Sequence, residues 1–152
     1  MPRTLVSPIR RALFAVLVFG LLGTGTELVL IQHYEDWLQF VPLVFVAAAL
    51  VLAGWHGVTQ SARSVRALQA TMALFIVAGA VGAGLHYRGG AEFQREMDPS
   101  QTRWQVFKKV MRAKAPPVLA SGIMVQLGLL GIIYAYRHPA FGSSERSSSY
   151  TE

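Results

Sequence analysis

The sequence predicts an all-α integral membrane protein: a four-helix bundle made of two helical hairpins, with a short amphipathic surface helix between spans three and four. Three observations predict this class. Hydrophobic residues make up 53% of the 152-residue chain and charged residues only 14%, against roughly 25% charged residues in soluble domains. The apolar residues form four long runs, and Glu27 is the only charged residue inside one. No run alternates apolar and polar residues, which disfavours a membrane β-barrel.

Each apolar run is long enough to cross a membrane as a helix. A helix rises ~1.5 Å per residue, so ~20 residues cross a ~30 Å hydrocarbon core, where the backbone must satisfy its own hydrogen bonds. No small-x-small cleavage site follows the first run, so we expect a retained span and not a cleaved signal. The predicted spans are residues 12–32, 42–58, 67–87 and 117–136. They form a transmembrane domain, residues 1–140, followed by a serine-rich tail, residues 141–152, that we expect to be disordered.

The distribution of Lys and Arg predicts the orientation of the spans. With four spans, seven basic residues fall on each side of the membrane, so the total does not decide the orientation. The first span does decide it, because Arg10 and Arg11 precede it whereas the loop 33–41 contains no Lys or Arg. We therefore expect both termini in the cytoplasm, and the compactness of the chain suits a bacterial inner membrane.

The loop between spans three and four contains a further helical pattern, at about residues 99–114. Asp98-Pro99-Ser100 is typical of a helix start. Trp104, Phe107, Val110 and Met111 recur at helical spacing, which predicts an amphipathic helix on the membrane surface. The residues expected to contact lipid or a protein partner are Trp104, Lys108, Lys109, Arg112 and Lys114. The alternative is a solvated helix packed on the end of the bundle.

The charge of the chain points away from nucleic acid. The net charge is +6, but half of the basic residues lie in this one loop. A basic amphipathic helix beside a membrane binds lipid phosphate or an acidic protein surface. We therefore expect the lipid bilayer and a protein partner or a second copy of the chain as partners, and no nucleic acid.

Two short patterns indicate a weak internal repeat and close helix packing. His33-Tyr34 closes the first span and His86-Tyr87 the third, and each pair is followed by a loop and a span that starts with proline. We expect Gly89-Gly90 to break the third helix and let the following segment fold back over the mouth of the bundle. Spans one and three are rich in Gly and Ala, which let helix backbones approach closely in lipid.

Glu27 is the first candidate functional residue. A charged side chain that faces lipid costs at least a few kcal/mol, so we expect Glu27 to face the bundle, to be protonated or to meet a donor. Ser121 and Gln126 of span four are the candidate partners. The pattern is consistent with a proton-handling carboxylate and equally with a Glu–Gln hydrogen bond that fixes helix packing.

A second candidate site lies at the outer end of the bundle, where span parity places several polar side chains. Two imidazoles with carboxylates are suitable ligands for zinc, iron, copper or manganese. However, no single helix carries a tight HxxxH or ExxH pair. The candidate metal ligands are His33, Glu35, Asp36, His86, Glu92 and Glu96.

Haem is the other cofactor considered, and only one histidine pair suits it. His33 and His86 lie at the same end of the bundle, whereas His56 has no partner at its depth and His138 lies beyond span four. We expect a chain without a cofactor, with a metal ion or haem as the alternative. The absence of cysteine excludes disulfides, thiolate ligands and cysteine nucleophiles.

Three functional hypotheses follow. The first is an accessory or assembly subunit of a larger membrane complex. The second is a redox protein that binds a metal or haem at the outer end of the bundle. The third is a small proton-coupled transporter centred on Glu27. No motif identifies a covalent catalyst, so the sequence favours a protein that is not an enzyme.

Overall fold

The computed structural model describes residues 3–113 and 118–142, and this part of the chain is all-helical, without a strand. The all-α part of the predicted fold class is therefore confirmed. A short 3-10 helix, Trp37–Gln39, precedes the second long helix. The α-helices are α1 (Arg3–Leu30), α2 (Phe40–Thr59), α3 (Ala62–Met97), α4 (Arg103–Met111) and α5 (Val118–Ala135).

Three helical segments are long and apolar enough to cross a membrane: Pro8–Leu30, Trp37–Thr59 and Ala62–Met97. They correspond to the first three predicted spans. In the fourth, the described apolar helix Ser121–Ala135 is shorter. The outward faces of the helices carry large apolar side chains, as expected of helices surrounded by lipid or by another chain. Examples are Phe19, Val51, Val58, Val77 and Ile133.

The four long helices pack as a ring in the order α1, α2, α3, α5, and α5 closes the ring against α1. Each helix contributes inward-facing apolar side chains to one core, although its outward face is apolar as well. The core includes Leu17, Leu21, Val46, Ala49, Leu68, Met72, Phe75 and Leu127. The ring has an end that contains Arg10, Thr59 and Ala135, here called the inner end, and an end that contains His33 and Phe40, here called the outer end.

Helices α3 and α5 approach most closely at glycines. A Cβ added at Gly79 would lie 2.7 Å from the backbone oxygen of Ser121, and one added at Gly128 would lie 2.6 Å from that of Met72. No side chain fits at these distances, so both positions require glycine. The expected role of small residues in span three is thus seen at Gly79, while Gly128 on α5 was not singled out from the sequence.

Helix α3 is longer than the predicted third span, and the expected break at Gly89-Gly90 was wrong. The helix runs without interruption to Met97, so its 36 residues measure about 54 Å. The reason is packing: a Cβ at Gly90 would lie 3.1 Å from Val110 of α4, so the missing side chain makes room for the neighbouring helix. Helix α4 folds back along α3, with Val106 and Val110 buried against Ala91. Residues 87–97 together with α4 are called the outer arm below.

The fold-back occurs at residues 98–102, which corrects the predicted start of the surface helix. Asp98 ends α3, and its side chain accepts hydrogen bonds from the backbone N–H (3.0 Å) and hydroxyl (2.6 Å) of Ser100. Thr102 is the true N-cap of α4: its hydroxyl accepts from the N–H of Gln105, whose side chain accepts from the N–H of Thr102 in return. This reciprocal capping box satisfies donors that a helix start leaves free.

The two His-Tyr pairs do not mark equivalent helix ends. His33-Tyr34 follows the end of α1, whereas His86-Tyr87 lies inside α3, which continues for ten further residues. The difference follows from the packing of α4 on the end of α3, which has no counterpart on α1. Residues 143–152 of the predicted serine-rich tail lie outside the described part of the chain.

Candidate functional site

A cavity of about 320 Å³ lies at the outer end of the bundle, between α1, α2, α3 and α5. Most of its lining is apolar, including Leu28, Val81 and Met124. Polar groups also line it, and these are Thr24, His33, Gln39, His86 and Ser121. The volume lies at the lower end of the ~300–1,000 Å³ range of ligand sites, and a largely apolar wall with a few polar groups is their usual composition.

His33 reaches this cavity because of the way α1 ends. Gln32 adopts a left-handed conformation (φ 55°) and the N–H of His33 bonds the carbonyl of Leu28 at 2.9 Å. This is the bonding pattern with which many helices end, and it turns the chain across the bundle. The ring of His33 then lies 6.3 Å from that of His86, centroid to centroid. Burial, and secondarily the neighbouring His86, lower the pKa of His33, which favours the neutral imidazole.

Ser121 contributes a hydroxyl group to the wall of the cavity. Its side chain is only 7% exposed, and none of the described residues forms a hydrogen bond with it. It faces Gly82 of α3: a Cβ added there would lie 3.1 Å from the Ser121 hydroxyl oxygen.

The six predicted metal ligands come together only in part. His33 and His86 are neighbours, but the described residues contain no group of three or more His, Asp or Glu side chains that could hold a metal ion. Glu92 instead pairs with Arg88 on the same helix at 2.8 Å. Glu35, Asp36 and Glu96 are exposed, and the backbone N–H groups of the first two bond Gln39. The structure therefore supports a histidine pair and not the larger cluster.

Glu27 does not face the bundle interior as expected, because its side chain is exposed on α1. Gln126 is exposed on α5, and within the described residues neither it nor Ser121 bonds Glu27. Glu27 lies three residues before the end of α1, about 5 Å along the helix axis.

A second polar cluster is buried at the inner end of the bundle, where α2, α3 and α5 meet. His56 is fully buried, and its Nδ1 lies 2.8 Å from the hydroxyl of Ser64. Its Nε2 lies 2.6 Å from the Tyr134 hydroxyl, which is in turn 3.4 Å from Nε2 of His138. The ring of Phe14 packs against both His56 and Tyr134. Three helices are thus joined, and the bond between His56 and Tyr134 links residues 78 positions apart in the sequence.

The hydrogen bonds of this cluster have one consistent direction. The Ser64 hydroxyl donates to the Ser61 carbonyl at 2.8 Å, so it accepts from Nδ1–H of His56. Nε2 of His56 is then an acceptor, and the Tyr134 hydroxyl donates to it. His138 accepts from the N–H of Ala140 through Nδ1, which leaves its Nε2–H to donate to Tyr134. Every member is satisfied in its neutral form.

Arg10 joins the beginning of α1 to the end of α5. Its guanidinium donates to the carbonyls of Tyr134, Tyr136 and Arg137, the last two at 3.3 and 3.5 Å. The last carbonyls of a helix have no partner within the helix, so a cation there satisfies them and interacts favourably with the helix dipole. Burial, and then the positive charge of Arg10 and the neighbouring His56, lower the pKa of His138 to about 4.

The inner cluster was not predicted from the sequence, because neither His56 nor His138 was assigned a partner. This cluster could have been identified by counting spans, because an even number of spans between two positions returns the chain to the same end of the bundle. The end of the second span, the start of the third and the end of the fourth all lie at one end of a four-span bundle. This places His56, Ser64, Tyr134 and His138 together.

The predicted surface of α4 is exposed in part. Trp104 and Phe107 are stacked with ring centroids 5.4 Å apart, and the Lys108 ammonium lies 5.8 Å from the Trp104 ring. Trp104 is 63% exposed, and Lys109 and Arg112 are also exposed. Val110, predicted on the same apolar face, is buried against α3 instead. Lys114 lies outside the described residues.

Comparison of the chain with protein-family models, with curated proteins and with solved structures gave no match. The function is therefore argued from the geometry of the molecule.

Proposed function

We propose that this chain is a four-span protein of a bacterial inner membrane, with both termini in the cytoplasm, and that it is an accessory or assembly subunit of a larger membrane complex. Helix α5 is the fourth span in this proposal. Its 18 residues measure about 27 Å, close to the ~30 Å hydrocarbon core. Parity then places the outer arm in the aqueous space outside the cytoplasm.

The observation that carries the proposal is the exposed aromatic pair on the outer arm. Residues 87–97 extend about 16 Å beyond His86, which is farther than the headgroup layer reaches if α3 stands upright. Trp104 and Phe107 are exposed on this arm, and the Phe107 ring lies 6.0 Å from that of Tyr87 at its base. Exposed aromatic side chains beside Arg and Lys are typical of protein interfaces. The arm is thus suited to docking on a partner subunit.

The lipid-facing side of the bundle supports the same proposal. The chain is small, and its helices carry many large exposed apolar side chains along their whole length. The exposed carboxylate of Glu27 adds a polar group on α1 that a neighbouring subunit could pair with. By contrast, transport through Glu27 finds less support, because this side chain faces away from the bundle interior.

Native electrophoresis of gently solubilised membranes tests the proposal. We expect the protein to migrate in an assembly much larger than its 16.6 kDa chain. The double change Trp104→Ser and Phe107→Ser should release it without changing its amount in the membrane. Trp37→Ser is the matched control, since Trp37 is even more exposed than Trp104 but lies on the 3-10 helix. Migration only as a monomer or homo-oligomer would contradict the proposal.

A further inference from the structure

The outer cavity has the properties of a binding site that the accessory role does not require. It lies between four helices, holds about 320 Å³, and is lined on one side by the paired rings of His33 and His86. This volume suits a head group of one ring with part of an apolar chain, and it is small for a porphyrin. Pockets of this kind bind ligands through an apolar wall and a few placed polar groups.

The polar groups of the cavity select a neutral ligand. None of the described residues that line it is Asp, Glu, Lys or Arg. His86 lies beside His33 and disfavours positive charge on it. A neutral imidazole offers one N–H donor and one acceptor. The site can therefore hydrogen-bond a carbonyl or hydroxyl group but has no fixed charge to balance an anion or a cation.

The Ser121 hydroxyl offers a further hydrogen-bonding group to a ligand in the cavity. This side chain is more than nine-tenths buried, lines the cavity, and has no hydrogen-bond partner among the described residues. A ligand oxygen beside it would satisfy the hydroxyl. Gly82 keeps this part of the cavity open, since any side chain there would crowd the Ser121 oxygen.

We propose that the outer cavity binds a neutral, mostly apolar molecule whose carbonyl or hydroxyl head is hydrogen-bonded by His33, His86 and Ser121. Leu28, Val81 and Met124 contact the apolar part of the ligand. Alkyl-substituted quinones and quinols belong to this chemical class, because they combine neutral oxygen acceptors or donors with an apolar chain.

Calorimetric titration of the purified protein in detergent with 2-decyl-1,4-benzoquinone tests this proposal, with protein-free micelles as the blank. We expect saturable binding with one ligand per chain. Decane lacks the head group and decanoate replaces it with an anion, so both should bind more weakly. Ser121→Ala and His86→Phe should each weaken quinone binding about fivefold, the effect of one neutral hydrogen bond. Tyr34→Phe, next to His33 but outside the cavity lining, should bind as the unaltered chain does.

A variant that fills the cavity tests the proposal without altering the polar side chains of the site. Val81 lines the cavity and is more than half exposed, so Val81→Trp can be accommodated while it occupies the binding space. We expect this variant to melt at the same temperature as the unaltered chain and to lose quinone binding. The proposal is overturned by the absence of saturable quinone binding, by equal or tighter binding of decane or decanoate, or by unchanged binding in Val81→Trp. Stoichiometric Zn²⁺ binding that requires both histidines, without quinone binding, would assign the site to a metal instead.

Discussion

Tyr134 is the residue on which the inner end of the bundle depends. Its hydroxyl donates to a fully buried histidine on α2 and accepts from His138, and its backbone carbonyl accepts from Arg10 on α1. One residue of α5 is thereby tied to the ends of two other helices. A network in which every buried donor and acceptor is paired fixes one arrangement of helices, because any other arrangement leaves polar groups unsatisfied.

The hydroxyl of Tyr134 should therefore matter more than its ring. Tyr134→Phe keeps the packing against Phe14 but leaves Nε2 of His56 without a donor and Nε2–H of His138 without an acceptor. We expect a loss of about 2 kcal/mol, which lowers the thermal midpoint by roughly 4–8 °C. The measurement is thermal unfolding in detergent, followed by circular dichroism.

Tyr136→Phe is the control for this prediction. Tyr136 lies two residues further along the chain and is 63% exposed. Its hydroxyl forms no hydrogen bond with the described residues, so its loss should leave the midpoint unchanged. Equal midpoints for the two variants would show that the His56–Tyr134 bond contributes nothing measurable to stability.

At the scale of helices, the contact between α3 and α5 depends on glycine. Gly128→Ala would place a methyl group 2.6 Å from the Met72 carbonyl oxygen, a backbone atom that cannot move aside cheaply. The two helices must then separate, and we expect a loss of about 1–3 kcal/mol, the usual effect of overpacking. The same thermal measurement in detergent detects it.

Gly122 of the same helix gives a matched comparison. A Cβ added there meets no atom within 4 Å. Alanine at an open helical position stabilises the helix by roughly 0.5–1 kcal/mol, so Gly122→Ala should raise the midpoint. A result in which both substitutions have the same sign would mean that helix propensity, and not close packing, governs this helix.

Helices were easier to predict from the sequence than the sites between them. Runs of apolar residues predict long helices because the hydrophobic pattern is local, and the first three predicted spans overlap α1, α2 and α3. The length of α3 was missed, because Gly89-Gly90 favours a break and only the later packing of Val110 explains why the helix continues. The Thr102 cap was missed for a similar reason: Asp98 and Ser100 are equally good capping residues.

Site residues could be predicted together only where the number of spans between them places them at the same end of the bundle. His33 and His86 were placed together correctly, whereas the carboxylates near them turned toward solvent or toward Arg88. Glu27 was chosen as a candidate from its charge alone, and charge does not determine which face of a helix a residue lies on. The cavity itself arises from side chains of four helices, and no single segment carries a signal for it.

At the scale of the whole molecule, the proposed orientation can be tested with single cysteines, because the chain contains none. A membrane-impermeant maleimide applied to intact cells should label Glu35→Cys and Ser100→Cys, which lie at the outer end. It should label Thr59→Cys and Gly142→Cys only after the membrane is opened. All four positions are exposed, so a lack of labelling reflects the membrane and not burial.

The position of Gly142 decides whether α5 crosses the membrane. If Gly142→Cys reacts in intact cells together with Glu35→Cys, α5 does not cross and the protein has three spans. If instead Thr59→Cys and Gly142→Cys react in intact cells while Glu35→Cys and Ser100→Cys do not, four spans remain but the orientation is reversed.

The hydrogen bonds between Arg10 and the end of α5 also set an order of events during synthesis. Arg10 is made 124 residues before the first carbonyl that it bonds, which corresponds to roughly 6–25 s of translation. Until then the guanidinium of Arg10 remains in water or against lipid phosphate. A chain that stops before α5 has neither the carbonyls for Arg10 nor the hydroxyl for His56. Closure of the inner end of the bundle therefore requires that α5 has been synthesised.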